Sequence, residues 1–149
     1  MERKYQFNRS LGMLSRQISK GLGIQMQKCL HEKGFKMTPL EWSIISFLKN
    51  NPGSTQQDIV NFLWINKTKV NRILYKLQSD GILERETHGG DKRYNVVNLT
   101  GKGSELYKNT LGCAEEALSR AFEGFTREQE TLLTDMLIKI KENLTEKSS

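Results

Sequence analysis

Residues 66–99 read NKTKVNRILYKLQSDGILERETHGGDKRYNVVNL, and the fold of the whole chain turns on this stretch. Val70, Ile73, Leu74 and Leu77 recur at i, i+3, i+4 and i+7, one apolar stripe of a helix that must face a core. The opposite side carries Lys67, Thr68, Lys69, Asn71, Arg72, Tyr75 and Lys76 and meets no acidic residue before Asp80. Asn66 suits the start of this helix, because its side-chain oxygen accepts from the free N–H groups of the first turn. Gly81 supplies the left-handed residue of a Schellman stop, with Ile82 placed to touch Leu77. Two short β-like runs follow, Ile82 to Thr87 and Arg93 to Leu99, joined by His88-Gly89-Gly90-Asp91-Lys92. The glycines permit a tight hairpin, and its tip is basic.

A capped helix with a cationic outer face, followed by a basic hairpin, is the pattern of a winged helix. Such a helix fits the major groove of DNA, where Asn and Arg read base edges bidentately. The hairpin loop reaches the phosphates or the neighbouring minor groove. A solvated helix beside a surface hairpin would carry a similar charge run, so the segment upstream decides. There Thr55 caps a short helix through Gln56, Gln57, Asp58, Ile59, Val60, Phe62 and Leu63, and Trp64-Ile65 turns the chain into Asn66. A short helix, a turn of a few residues and a second helix is helix-turn-helix spacing.

Working outward, Thr38-Pro39-Leu40-Glu41 forms a capping box with proline in the first helical position, and Met37 and Trp42 form a hydrophobic staple. Leu40, Ile44, Ile45, Phe47 and Leu48 then mark a buried helix that stops at Asn50-Asn51-Pro52-Gly53. Before it, Phe7, Leu11, Leu14, Ile18, Leu22, Met26 and Cys29 are spaced by threes and fours, so Tyr5 to Glu32 reads as a long amphipathic helix. Gly12, Gly21 and Gly23 each cost it up to about 1 kcal/mol against alanine, which suggests a helix held by a partner. After the hairpin, Leu99-Thr100 opens a long helix that runs as far as Phe125. Thr126-Arg127-Glu128-Gln129 is a second capping box, and its helix carries Leu132, Leu133, Met136, Leu137, Ile140 and Leu144 on one face.

The expected fold is mainly α with a small β-hairpin wing. The 149 residues form one domain, in which helices at 6–34 and 101–145 make a dimerisation layer and 38–100 make a winged helix-turn-helix lobe. The hydrophobic content of 36% and mean hydropathy of −0.59 suit helices that bury part of their surface only on oligomerisation.

The net charge of +6 favours an anionic partner. It is unevenly placed: residues 1–37 carry 8 basic and 2 acidic side chains, residues 38–100 carry 8 and 6, and residues 101–149 carry 7 and 9. The acidic last third is therefore not expected to face DNA. No apolar run approaches the ~20 residues needed to span a bilayer, and no charged-then-apolar leader is visible, so the chain is expected in the cytoplasm, associated with the nucleoid. Cys29 and Cys113 are too few and too far apart for a disulfide framework or a zinc cluster. Each reads as a buried, inert thiol. Trp42, Trp64 and Tyr107 read as core residues. No metal and no resident cofactor are expected.

Several segments fall in the order and spacing of one known family. They are Thr38-Pro39, Thr55-Gln56-Gln57-Asp58, Lys76 to Arg85 (KLQSDGILER), Asp91-Lys92-Arg93 and Leu99-Thr100-Gly101-Lys102-Gly103. The chain thereby resembles the multiple-antibiotic-resistance regulator (MarR) family over nearly its whole length. The resemblance implies a homodimeric winged-helix transcription factor whose first and last helices intertwine. It also implies pseudo-palindromic double-stranded DNA as partner and release by a small, often phenolic or aromatic, effector. By the same resemblance Arg93 enters the minor groove and Asp91 holds it. The physics agrees, since a nearby carboxylate pre-orients a guanidinium and a narrow groove attracts arginine. Family members that sense oxidants carry a cysteine near the start of the first helix, where this chain has Leu11, Met13 and Ser15.

The expected function is therefore a sequence-specific DNA-binding regulator, a repressor released by a small ligand. Its DNA-binding residues are Thr55, Gln56, Lys67, Thr68, Lys69, Asn71, Arg72, Lys76, Asp91, Lys92 and Arg93. The alternative is a winged-helix module that contacts protein and has no operator. It is weakened by the lysines on the reading face, because protein interfaces are depleted in lysine. An enzyme is not expected. The sequence has no phosphate-binding glycine loop, no nucleophile beside a base, and no carboxylates clustered with histidine.

Overall fold

The computed structural model describes residues 3–87 and 95–145. Six helices and three short strands are ordered along these residues: α1 (Leu11–Glu32), α2 (Pro39–Asn50), β1 (Ser54–Thr55), α3 (Gln56–Leu63), α4 (Lys67–Ser79), β2 (Leu83–Thr87), β3 (Asn95–Leu99), α5 (Gly101–Ala121) and α6 (Arg127–Leu144). The fold is mainly helical with one small antiparallel sheet, as expected.

Most helix starts are local hydrogen-bond events that the sequence specifies. Thr38 and Glu41 satisfy each other's backbone N–H, Thr55 and Asp58 do the same, and Thr126 and Gln129 repeat the device at α6. Asn66 accepts from the Lys69 N–H at 2.8 Å. At the far end of α4, Gly81 has φ +73°, and the Ile82 N–H donates to the Leu77 carbonyl at 2.9 Å. This is the anticipated Schellman closure.

Some boundaries differ. The first helix begins at Leu11, not Tyr5, because Ser10 caps it by accepting from the Met13 N–H and a single 3-10 turn at Phe7–Arg9 precedes it. The fifth helix ends at Ala121 rather than Phe125, leaving Gly124 (φ +86°) for the turn into α6. A third strand, β1, lies outside any hairpin: Ser54 pairs with Val97 and Thr55 with Val96, giving the order β1-β3-β2. Two residues are too short a run to carry a strand pattern. The Asn98 side chain fixes the strand by accepting from the Gly53 N–H at 2.7 Å.

The core lies where α2, α3 and α4 meet the sheet. Ile44, Ile45, Leu48, Ile59, Val70, Leu74, Leu83 and Val97 are buried there, and each such side chain contributes about 1.5–3 kcal/mol by leaving water. The core continues through Met26, Cys29 and Leu30 of α1 to Cys113 of α5. By contrast α6 buries no residue at all. Its Leu132, Met136, Leu137 and Leu144 are exposed, as are Leu11, Leu14 and Ile18 of α1 and Leu118 of α5.

Two core expectations are corrected. Trp64 is 62% exposed. As the residue closing α3 it takes the left-handed conformation (φ 56°), which turns its side chain away from the core. Trp42 and Tyr107 do pack against the core, with their rings stacked 6.1 Å apart. The second correction concerns the cysteines: Cys29 and Cys113 are joined in a disulfide, with Cα atoms 5.5 Å apart and 84 residues between them in sequence. Distance along the chain is no guide here, because α1 and α5 lie side by side.

Candidate nucleic-acid interface

The apolar stripe of α4 fixes how the helix presents its other face. Val70, Ile73, Leu74 and Leu77 are buried, so Lys67, Thr68, Lys69 and Arg72 are exposed together and Asn71 is half-buried beside them. The first two turns thus offer three cations, a hydroxyl and an amide on one surface. A helix of α4's diameter fits the major groove. Thr55 and Gln56 lie at the start of α3 and are half-buried. The Thr55 hydroxyl accepts from the Asp58 N–H at 3.1 Å, so its first duty is to cap the helix. Asp91, Lys92 and Arg93 lie outside the described residues.

Lys76 is placed differently from the others. Its Nζ donates to Glu41 Oε1 at 2.7 Å, while Glu41 Oε2 accepts from the Thr38 N–H at 3.3 Å. The Glu41 side chain is 8% exposed and that of Lys76 51%. The lysine therefore neutralises a buried carboxylate and ties the end of α4 to the start of α2. Its first duty is structural. Lys76→Met should lower the unfolding midpoint, costing about 1–3 kcal/mol by leaving Glu41 buried without its cation. Adding Glu41→Gln should recover part of that loss in the double variant. Urea titration of the four proteins decides this; equal midpoints for wild type and Lys76→Met would show that the pair contributes nothing.

Sequence reasoning passed over Arg85. This β2 residue lays its guanidinium over the Tyr75 ring of α4, 4.7 Å from the centroid. Its Nε and Nη2 are covered and have no hydrogen-bond partner among the described residues. A cation held on an aromatic face couples the wing strand to the outer side of α4. The signal was weak: a lone arginine in a strand becomes informative only once Tyr75 is known to face it.

A second feature lies behind this surface. An apolar cavity of about 730 Å³ opens between α1, α2 and α5, walled by Ile18, Leu22, Met26, Leu40, Trp42 and Ala117, among others. It meets the middle of α5, where Ala114, Ala117 and Leu118 line it. Ser15, Ser19 and Ser43 are its polar lining, and among the described residues no charged side chain lines it. Trp42 has its one donor engaged, Nε1 to Thr110 Oγ1 at 3.0 Å, and presents a ring. Ser43 donates to the Pro39 carbonyl.

The comparisons with known proteins agree with this arrangement. A model of the MarR family matches residues 35–93, the winged helix-turn-helix portion. The homoprotocatechuate degradative operon repressor of Escherichia coli is 28% identical over 105 residues, 70% of this chain and 71% of that protein. A MarR/EmrR family transcriptional regulator from Acinetobacter sp. ADP1 superposes with a TM-score of 0.83 at 26% identity, covering 94% of this chain and 98% of that one. A MarR variant from Escherichia coli, solved in complex with operator DNA, shares the fold with a TM-score of 0.78 at 19% identity, covering 92% and 99%. Among the described residues no helix is long and apolar enough to cross a membrane. With its capped α4, its paired wing strands and these relatives, the chain is similar in sequence and fold to MarR-family transcriptional regulators, whose family model matches its residues 35–93.

Proposed function

We propose that the protein acts as a homodimeric repressor that reads a pseudo-palindromic operator with α4 and is released by a small uncharged ligand. The observation that carries the DNA reading is the single exposed surface on which α4 presents Lys67, Thr68, Lys69 and Arg72 beside Asn71. Lysine and arginine there displace counterions from phosphates, while Asn71 and Arg72 supply bidentate base contacts. Asp91, Lys92 and Arg93 would extend the contact from the wing to the backbone and minor groove. Two copies bring two such helices to half-sites one helical turn apart. The exposed apolar faces of α1, α5 and α6 support the dimer, since α6 buries nothing within one chain. Residues 6–34 and 101–145 would make that dimerisation layer and 38–100 the DNA-binding lobe. Such a regulator works at the nucleoid, in the cytoplasm.

The cavity beneath Trp42 supports the choice of ligand. A carboxylate placed there would be desolvated without a cation to pair with. A neutral phenol or similar aromatic would find the Trp42 ring and the Ser15 or Ser19 hydroxyl. No resident cofactor is needed for this cycle.

A gel shift of the gene's own upstream region, titrated with salt, tests the reading. We expect a discrete complex whose log affinity falls linearly with log salt, and which a neutral phenol dissolves more readily than an aromatic acid. Equal binding of the upstream duplex and a scrambled one at every salt concentration would overturn it.

A further inference from the structure

Cys29 of α1 and Cys113 of α5 are the only cysteines in the chain, and their sulfurs are bonded to each other. A regulator that works on the chromosome operates in a reducing compartment, where a disulfide is commonly transient and redox-sensing rather than a permanent brace. We propose that this pair is a reversible thiol–disulfide site, oxidised by peroxides or by small disulfides, whose state sets how α1, α5 and α2 pack. The placement supports that role in three ways.

First, both sulfurs belong to residues that are nearly or wholly buried, yet Cys29 has a way out. Glu116 Oε2 lies 3.6 Å from Cys29 Sγ, where a thiol hydrogen can donate to it in the reduced state. Glu116 also lines an open polar groove with Gln25 and Arg120. A small oxidant reaching that groove is one side chain from the sulfur. Second, the pair lies within the core rather than at a loose end, so two thiols cannot occupy the space that one S–S bond fills without moving a helix or turning a side chain. Third, the neighbours transmit that movement. Thr110, one turn before Cys113, is buried and holds the Trp42 indole N–H. Met26, one turn before Cys29, lines the apolar cavity with Ala114 and Ala117. Any shift between α1 and α5 is therefore felt at α2, and so by α4, which Lys76 ties to Glu41 of α2.

The chemistry balances without a metal. The Cys29 sulfur attacks one peroxide oxygen, the O–O bond breaks, and a sulfenic acid and water form. The Cys113 sulfur then attacks Cys29 Sγ, forming the S–S bond and releasing the second water. Two thiol hydrogens and two electrons have passed to the peroxide. A dithiol reductant reverses the step by exchange.

This inference rests on the operator-binding reading both for the reducing compartment and for its effect on DNA, whereas the thiol–disulfide step itself can be measured without it, and the test separates them. Full-length protein is reduced, desalted and treated with hydrogen peroxide or diamide. It is then denatured and alkylated with a maleimide. Two alkylated thiols before oxidation and none after, with a loss of two hydrogens in the intact mass, are expected. Two thiols still alkylated after oxidation would overturn the site. In the gel shift, affinity for the upstream duplex should differ about threefold or more between the two forms of wild type. It should not respond to oxidant in Cys29→Ser or in Cys113→Ala, chosen because a hydroxyl at that buried position would lack a partner. A disulfide that forms while both forms bind alike would make the pair a brace and overturn the switch. If neither form binds DNA, the operator reading has failed. The alkylation arm and the oxidant dependence of the melting temperature then decide the site alone.

Discussion

Gly103→Ala is expected to destabilise the protein by about 3 kcal/mol or more, the largest loss for any single methyl group here. A Cβ at Gly103 would sit 2.1 Å from the Ile82 carbonyl oxygen. The obstacle is backbone, so no rotamer change relieves it. That carbonyl is also held in place, since it accepts from the Thr100 N–H at 3.0 Å and from the Thr100 hydroxyl at 3.1 Å. The same hydroxyl accepts from the Gly103 N–H to cap α5. The Leu-Thr-x-x-Gly run is thus the joint at which the wing strand β3 enters α5. Glycine is required there for close approach, not for an unusual φ. Gly101→Ala is the control, because nothing lies within 4 Å of its added Cβ and alanine is the better helix former. Urea unfolding should show a large drop for Gly103→Ala and none for Gly101→Ala. An unchanged midpoint for both would mean that the two segments do not meet so closely.

Asn71→Ala and Arg72→Ala are each expected to cost about 1–3 kcal/mol of operator affinity and to relax sequence preference at one position per half-site. In a dimer each substitution acts twice, so the loss should fall on both half-sites alike. Lys69→Ala should instead weaken all duplexes similarly and lower the salt slope by roughly one. Chemistry rather than exposure separates the roles: Lys69 and Arg72 are both exposed and Asn71 half-buried, but the amide and the guanidinium can pair bidentately with a base edge, whereas an ammonium acts as a point charge. The measurement is binding of each variant to the operator and to a scrambled duplex across salt. Equal losses on both duplexes for Asn71→Ala and Arg72→Ala would show that α4 does not read bases. Lys76 does not belong in this comparison, because its bond to Glu41 mixes stability into any loss of affinity.

What the sequence by itself determined is what is settled within about four residues. The capping boxes at Thr38 and Thr126, the Asn66 cap and the Gly81 stop are contacts between i and i+3 to i+5, and composition at those spacings specifies them. The apolar period of α4 likewise determined which face is buried, and by subtraction which residues are left to solvent. The wing strands were legible in the same local way, as two β-like runs on either side of a glycine-containing turn, and β2 does pair with β3.

Only the tertiary structure decided the rest, where partners are distant in sequence and the interaction has no periodic signature. Cys29 meets Cys113 across 84 residues, and Lys76 meets Glu41 across 35. Arg85 finds the Tyr75 ring because a strand happens to pass that side of α4. Trp64 was expected inside for its hydrophobicity, yet the left-handed backbone at the end of α3 directs it outward. Hydrophobic pattern constrains which side of an element is buried. It does not say which side chain on a neighbouring element will stand opposite, and a disulfide, a neutralised carboxylate or a covered guanidinium depends on that choice alone.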